Sequence, residues 1–193
     1  MIRGLRNVAT LVLLAASLFS CSSKDTPMTK SKAAAEILGN PEYRAISFGG
    51  YRGKERAKQP TIPQLKEDLK IMSAMGIKIL RTYNLQLAHA PNVLKAIREL
   101  KNEDPTFEMY VMLGVWIDCL NAWTDHPDHS IEDPKNNESE IQKAVRYATE
   151  YPDIVKVIAV GNEAMVHWAS SYFVHPSVIL KYVNYLQELK KVG

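Results

Sequence analysis

The stretch Lys156-Val157-Ile158-Ala159-Val160-Gly161-Asn162-Glu163-Ala164-Met165 decides how the chain folds. Val157 to Val160 is an unbroken apolar run, rich in β-branched residues and closed by a glycine, which predicts a short strand. A run without polar alternation predicts burial on both faces, as in a parallel sheet under helices. Asn162 and Glu163 follow directly. In α/β folds, groups placed where a parallel strand ends project into the ligand site. Glu163 is there a candidate general acid, because apolar surroundings raise a carboxyl pKa toward neutrality. A helix N-terminus accounts equally well for it, since the dipole favours glutamate in a first turn. The local pattern leaves both readings open.

Working outward, the chain from Tyr43 repeats one unit: apolar strand, polar loop, amphipathic helix. A first strand at Ala45-Ile46-Ser47-Phe48 runs into Gly49-Gly50-Tyr51. Thr61-Ile62-Pro63-Gln64 predicts a capping box with proline in the first turn. Leu65, Leu69, Met72 and Met75 share a helical face, and Gly76 ends that helix. A second strand spans 77–83 and ends Arg81-Thr82-Tyr83. A helix from near Pro91 turns Val93, Ile97 and Leu100 inward. A third strand covers 107–116 and ends at Trp116-Ile117-Asp118. A third helix starts about Glu138, with Ile141, Val145 and Ala148 inward. The strand at 156–160 is the fourth. A last helix follows His175-Pro176, with Val178, Tyr182, Leu186 and Leu189 inward and Gly193 as its cap.

Four consecutive β-α units imply parallel strands with right-handed crossovers, in either a doubly wound sheet or a (β/α)8 barrel. Gly49-Gly50-Tyr51-Arg52-Gly53 lacks the Gly-x-Gly-x-x-Gly spacing of dinucleotide sites. A barrel typically needs about 250 residues, and residues 21–193 fall well short. The fold class is α/β; both architectures stay open on pattern alone, and on the barrel reading the chain is the N-terminal half (about four β-α units) of a TIM (β/α)8 barrel.

The chain start predicts export. Arg3 and Arg6 precede an apolar core, Val8 to Phe19, too short to span a bilayer comfortably. Leu18-Phe19-Ser20-Cys21 resembles the lipobox of bacterial lipoproteins. That implies a signal peptide over 1–20, lipidation at Cys21 and the membrane as a partner through that lipid anchor. With no aspartate after Cys21, it resembles the outer-membrane sorting pattern, in the bacterial cell envelope. Residues 21–42 then read as a tether and 43–193 as the domain.

Several function classes are set aside. The chain has two cysteines and a net charge of +3. With Cys21 lipidated, Cys119 has no partner for an intramolecular disulfide. The basic cluster Arg52, Lys54, Arg56 and Lys58 reads as a solvated loop, and no aromatic-plus-basic layout suggests nucleic acid. Asp125-His126-Pro127-Asp128-His129 holds ligand-type residues, but its proline turn suits a polar loop better than a metal site. No nucleophile elbow and no P-loop are present.

The strand ends together resemble the catalytic domain of glycoside hydrolase family 17, the β-1,3-glucanase family of a large retaining-hydrolase clan. The carriers are Arg81-Thr82-Tyr83-Asn84, Val111-Met112-Leu113-Gly114-Val115 and Val160-Gly161-Asn162-Glu163. They cover Ile46 to Gly193, about half of a family domain. The resemblance implies a β-glucan substrate, no cofactor and no metal. It implies Glu163 as acid/base, Asn162 at the sugar 2-hydroxyl and Tyr83 lining the same subsite. Arg81 would position a carboxylate or serve as a buried ion-pair anchor. Trp116 would stack on sugar or pack internally, and His167 and Trp168 would shape subsites or pack their loop.

The chain also departs from that pattern. Retaining hydrolysis needs two carboxyls about 5–5.5 Å apart, and the clan's nucleophile ends a seventh strand that is absent here. On position alone Asp118 would be the partner; the family pattern makes it a substrate-contacting or structural residue. The expectation is a C-terminally truncated sequence of a working glucanase. The alternative is a genuine short protein, a noncatalytic glycan-binding lipoprotein with open edge strands and an exposed inward face.

Overall fold

The structure, a computed structural model, describes residues 31–192. The predicted signal peptide, Cys21, the first part of the tether and Gly193 lie outside the described residues. The described residues form one compact unit.

That unit begins with a short helix α1 (Ala34–Ile37), then strand β1 (Arg44–Ser47), helix α2 (Ile62–Ala74) and strand β2 (Ile77–Arg81). Helix α3 (His89–Glu103), strand β3 (Tyr110–Val115), and the short strands β4 (Cys119–Leu120) and β5 (Asp128–Glu132) follow. Helix α4 (Pro134–Glu150), strand β6 (Val155–Val160) and helix α5 (Pro176–Val192) complete it. β1, β2, β3 and β6 form one parallel sheet in sequence order, with each neighbouring pair bridged by a helix. β4 and β5 form a separate antiparallel pair. No helix among the described residues is long and apolar enough to cross a membrane.

The register explains the layering. Leu80 pairs with Val111, Leu113 with Ile158 and Val115 with Val160, so these side chains share one face. That face joins the apolar stripes of α2, α3, α4 and α5 in a single core. The other face carries Ile79 and Tyr110, covered near the strand starts by Ile37 and Tyr43. Further along that face, Arg81, Met112, Val157 and Ala159 are only half-buried, and β1 is exposed throughout. The burial expected on both faces of 157–160 is therefore not realised. β6 lies at an edge of the sheet with one neighbour, and five of its six residues are half-exposed.

Local signals account for most element ends. Thr61 and Gln64 form the predicted capping box, the Thr61 side chain accepting from the Gln64 N–H. Gly76, at φ +79, turns the chain from α2 into β2. Met75 departs from the expected inward face: it is the C-cap residue just past the helix and stands 60% exposed. α4 starts at Pro134 rather than near Glu138, because Asp133 caps it by accepting from the Asn136 N–H at 3.1 Å. β3 starts at Tyr110 rather than Phe107, since Asp104 holds 104–107 in a turn.

The tether expected to run to residue 42 also needs correction. Ile37 is fully buried against Ile79 and Tyr110. Lys32 pairs with Glu108 at 2.9 Å, and Lys78 reaches the same carboxylate at 2.9 Å. Burial opposes the Glu108 charge, but the Lys32, Lys78 and Tyr110 donors prevail and hold its pKa down at about 2. Residues 32–42 thus pack under the strand starts as part of the folded unit.

Candidate active site

The carboxyl ends of the four parallel strands converge on one open cleft of about 740 Å³. Gly49, Gly50 and Tyr51 come from the segment after β1, and Tyr83 and Asn84 from that after β2. Trp116 follows β3, and Asn162 and Glu163 follow β6. Residues from separate strands meet here because a parallel sheet brings all its carboxyl ends to one side.

Gly161, at φ +80, ends β6 and sets the Asn-Glu pair across the sheet end. Its N–H still donates to the Val115 carbonyl at 2.9 Å, so the site begins where the ladder stops. Asn162 is 6% exposed, and its side-chain oxygen accepts from the Arg81 guanidinium at 2.6 Å. With that oxygen engaged, the amide NH2 is the part left to donate into the cleft. Arg81 therefore orients Asn162; among the described residues it makes no ion pair. Glu163 lines the cleft at φ +54, a left-handed conformation uncommon for a non-glycine residue and recurrent at functional sites. It lies in a turn well before α5, so the helix-first-turn reading is removed. Glu163 is also exposed. The apolar enclosure expected for it is not formed among the described residues.

Trp116 joins an aromatic group the sequence did not reveal. Its ring stacks on Trp123 with centroids 6.0 Å apart, and Trp123 stacks on Tyr172 at 4.9 Å. All three line the cleft. Trp123 takes φ +67 and donates its N–H to the Ser171 carbonyl at 2.7 Å, tying the loop after β4 to the one after β6. The available signal was Trp123 alone in the polar loop after β4; Tyr172 sits beside Phe173 in a mixed segment and gave none.

Asp118 is not among the cleft-lining residues. It is 5% exposed and accepts from the Trp116 indole N–H at 2.8 Å. Burial pushes its carboxyl pKa up, and the indole donors oppose this. Its place is behind the aromatic face, steadying Trp116. His167 packs on Phe173 with centroids 4.7 Å apart, whereas Trp168 is 87% exposed. Arg52, from the basic cluster, pairs with Glu67 and Asp68 on α2, and Arg56 reaches the cleft rim. Asp128 and His129 belong to β5 rather than to a loop. Among the described residues, no group of three or more His, Cys, Asp and Glu side chains is placed to hold a metal ion.

His89 lies under the cleft floor, against Phe48 and Tyr51, with its Nε2 lacking a partner. Burial lowers its pKa to about 4. The unfolded chain takes up a proton near pH 6.5 that the folded chain refuses until about pH 4. Stability linked to His89 is thus present above pH 6.5 and is lost as pH falls toward 4. Asp118 and Glu140, both pushed up by burial, act in the opposite sense. A comparison with His89→Phe isolates the histidine. Between pH 7 and pH 4.5 the parent should lose on the order of 2 kcal/mol relative to the variant in urea unfolding. Parallel pH profiles would contradict the buried neutral imidazole.

No family model and no curated protein matches the chain. Among solved structures, it is similar to the crystal structure of an endo-laminarinase from Formosa Hel1_33_131, with a TM-score of 0.81 and 67% sequence identity. The similarity covers 84% of this chain and 41% of that one, so the matched part spans less than half of the laminarinase's length.

Proposed function

We propose that this chain carries the acid/base half of a retaining β-1,3-glucanase site, built on part of a (β/α)8 barrel. The observation that carries the reading is Asn162-Glu163 at the end of β6, facing Tyr83 and Trp116 across one cleft. The 67% identity to an endo-laminarinase supports the substrate class, and the fraction of that chain covered supports a partial domain. A sheet with helices on one face and a half-open face opposite suits a barrel wall.

In this mechanism Glu163 protonates the departing glycosidic oxygen and then deprotonates the incoming water or sugar hydroxyl. Asn162, its oxygen held by Arg81, donates its amide N–H to the sugar 2-hydroxyl. Tyr83 and the Trp116–Trp123–Tyr172 group supply the faces against which glucose rings lie. The nucleophile belongs to a later strand, and no cofactor enters. Cys21, as a lipidation site, places the domain on the bacterial outer membrane.

The test is to sequence the locus beyond codon 193 and express the entire reading frame that holds these residues. Incubated with laminarin, that product should release reducing ends with retained anomeric configuration. Inverted product, or neither cleavage nor binding of laminarin, would overturn the assignment. The second reading, a noncatalytic glycan binder, has its own support: Glu163 is the one carboxylate among the described residues lining the cleft. Laminarin binding without any reducing ends would favour it.

A further inference from the structure

Two polar side chains on α4, Asn137 and Glu140, are 0% and 1% exposed, and neither lines the cleft. Three residues apart, they lie on one face of the helix. Glu140 makes no ion pair among the described residues, although the nearby Lys143 favours its charge, and a buried carboxylate in that state needs compensating donors. It has them. Its carboxylate accepts from the Leu85 backbone N–H at 3.0 and 2.9 Å and from the Trp116 backbone N–H at 3.0 Å. Asn137 accepts from the Asp118 N–H at 2.8 Å and donates to the Asp118 carbonyl at 2.9 Å. Asp118 in turn accepts from the Trp116 indole.

The contacts of Glu140 and Asn137 all act on backbone just past a strand end. Leu85 lies two residues after Tyr83, and Trp116 to Asp118 is the segment leaving β3. One helix therefore fixes both loops, and it grips Trp116 twice: directly at the main chain, and at the indole through Asp118. Loop backbone outside the ladder has no strand partners, so side-chain acceptors must satisfy it. A charged acceptor does so more strongly than a neutral one.

We propose that Glu140 and Asn137 are positioning residues that clamp the loops after β2 and β3 to α4 and so hold Trp116 as a rigid platform for glycan. The glycan part of this rests on the glucanase reading above; the clamp itself does not. The whole reading frame serves as the test protein. In the parent, hydrogen exchange at the Leu85 and Trp116 amides should be slow, comparable to strand amides. Fast exchange at both would overturn the proposal without any variant being made.

Glu140→Leu removes the acceptors and should abolish the near-ultraviolet circular dichroism of the stacked Trp116 and Trp123 while far-ultraviolet signal persists. Its affinity for laminarin should fall roughly tenfold, a loss of about 1.4 kcal/mol. Glu140→Gln keeps one oxygen within reach of both amides and should restore most of each signal. A folded Glu140→Leu protein with unchanged aromatic dichroism would overturn the clamp. If Glu140→Leu does not fold, the parent's exchange rates and the Gln variant's dichroism still decide. A parent that does not bind laminarin would instead count against the glucanase reading.

Discussion

Replacing Glu163 with glutamine in the complete reading frame should lower laminarin cleavage by roughly 10³-fold while leaving laminarin affinity near the parent's. The glutamine side chain has nearly the same shape as the glutamate and can sit on the same left-handed backbone, at φ +54. It can neither give nor accept a proton at the glycosidic oxygen. Binding should persist because Asn162, Tyr83 and the stacked aromatics remain in place. The defect also has a chemical signature. An aryl β-glucoside with a good leaving group needs no acid for its first step, so the variant should still form the glycosyl intermediate. Azide, which needs no general base, should then release product faster than water does. Full activity on laminarin would remove Glu163 from the acid/base role. A loss equal on both substrates with no azide effect would make it structural.

The succession of strands and helices was legible because each unit carries its own punctuation. The capping box at Thr61, Gly76 after α2 and Gly161 after β6 all act where the sequence places them. The candidate site was legible to the extent that it sits on strand ends: Tyr83, Trp116, Asn162 and Glu163 line one cleft. What stayed hidden depends on contacts between distant segments. Trp123 and Tyr172 meet only when two loops fold together. β4 has two residues, and the polar start of β5 gives no alternation to read. Ile37 looked like part of a tether because its partners, Ile79 and Tyr110, lie on strands further along. Glu140 had left a trace: it precedes Ile141 and lies one turn before Ala144, on the buried stripe of α4. A carboxylate on that stripe signals a specific set of donors waiting for it.

Adding one methyl group at Gly114 should destabilise the fold by more than about 3 kcal/mol, although the residue lies away from any turn. A Cβ there would stand 2.1 Å from the Thr82 carbonyl oxygen, 2.7 Å from its carbon and 2.8 Å from the Tyr83 Cα. All three are backbone atoms, so no rotamer change relieves the clash. Relief requires β2 and β3 to separate at their carboxyl ends. That separation strains the Thr82 N–H bond to the Met112 carbonyl, now 3.1 Å, and the Gly114 N–H bond to the Thr82 hydroxyl, now 3.0 Å. Tyr83 rides on one strand end and Trp116 on the other, so surviving Gly114→Ala protein should also bind laminarin more weakly. Gly53→Ala is the control, because a Cβ there meets nothing within 4 Å. Urea unfolding should place Gly53→Ala within about 0.5 kcal/mol of the parent. If Gly114→Ala loses less than about 1 kcal/mol, the close approach of the two strands is not what sets the width of the cleft. Trp116 would then owe its place to α4 and to the pairing of β3 with β6.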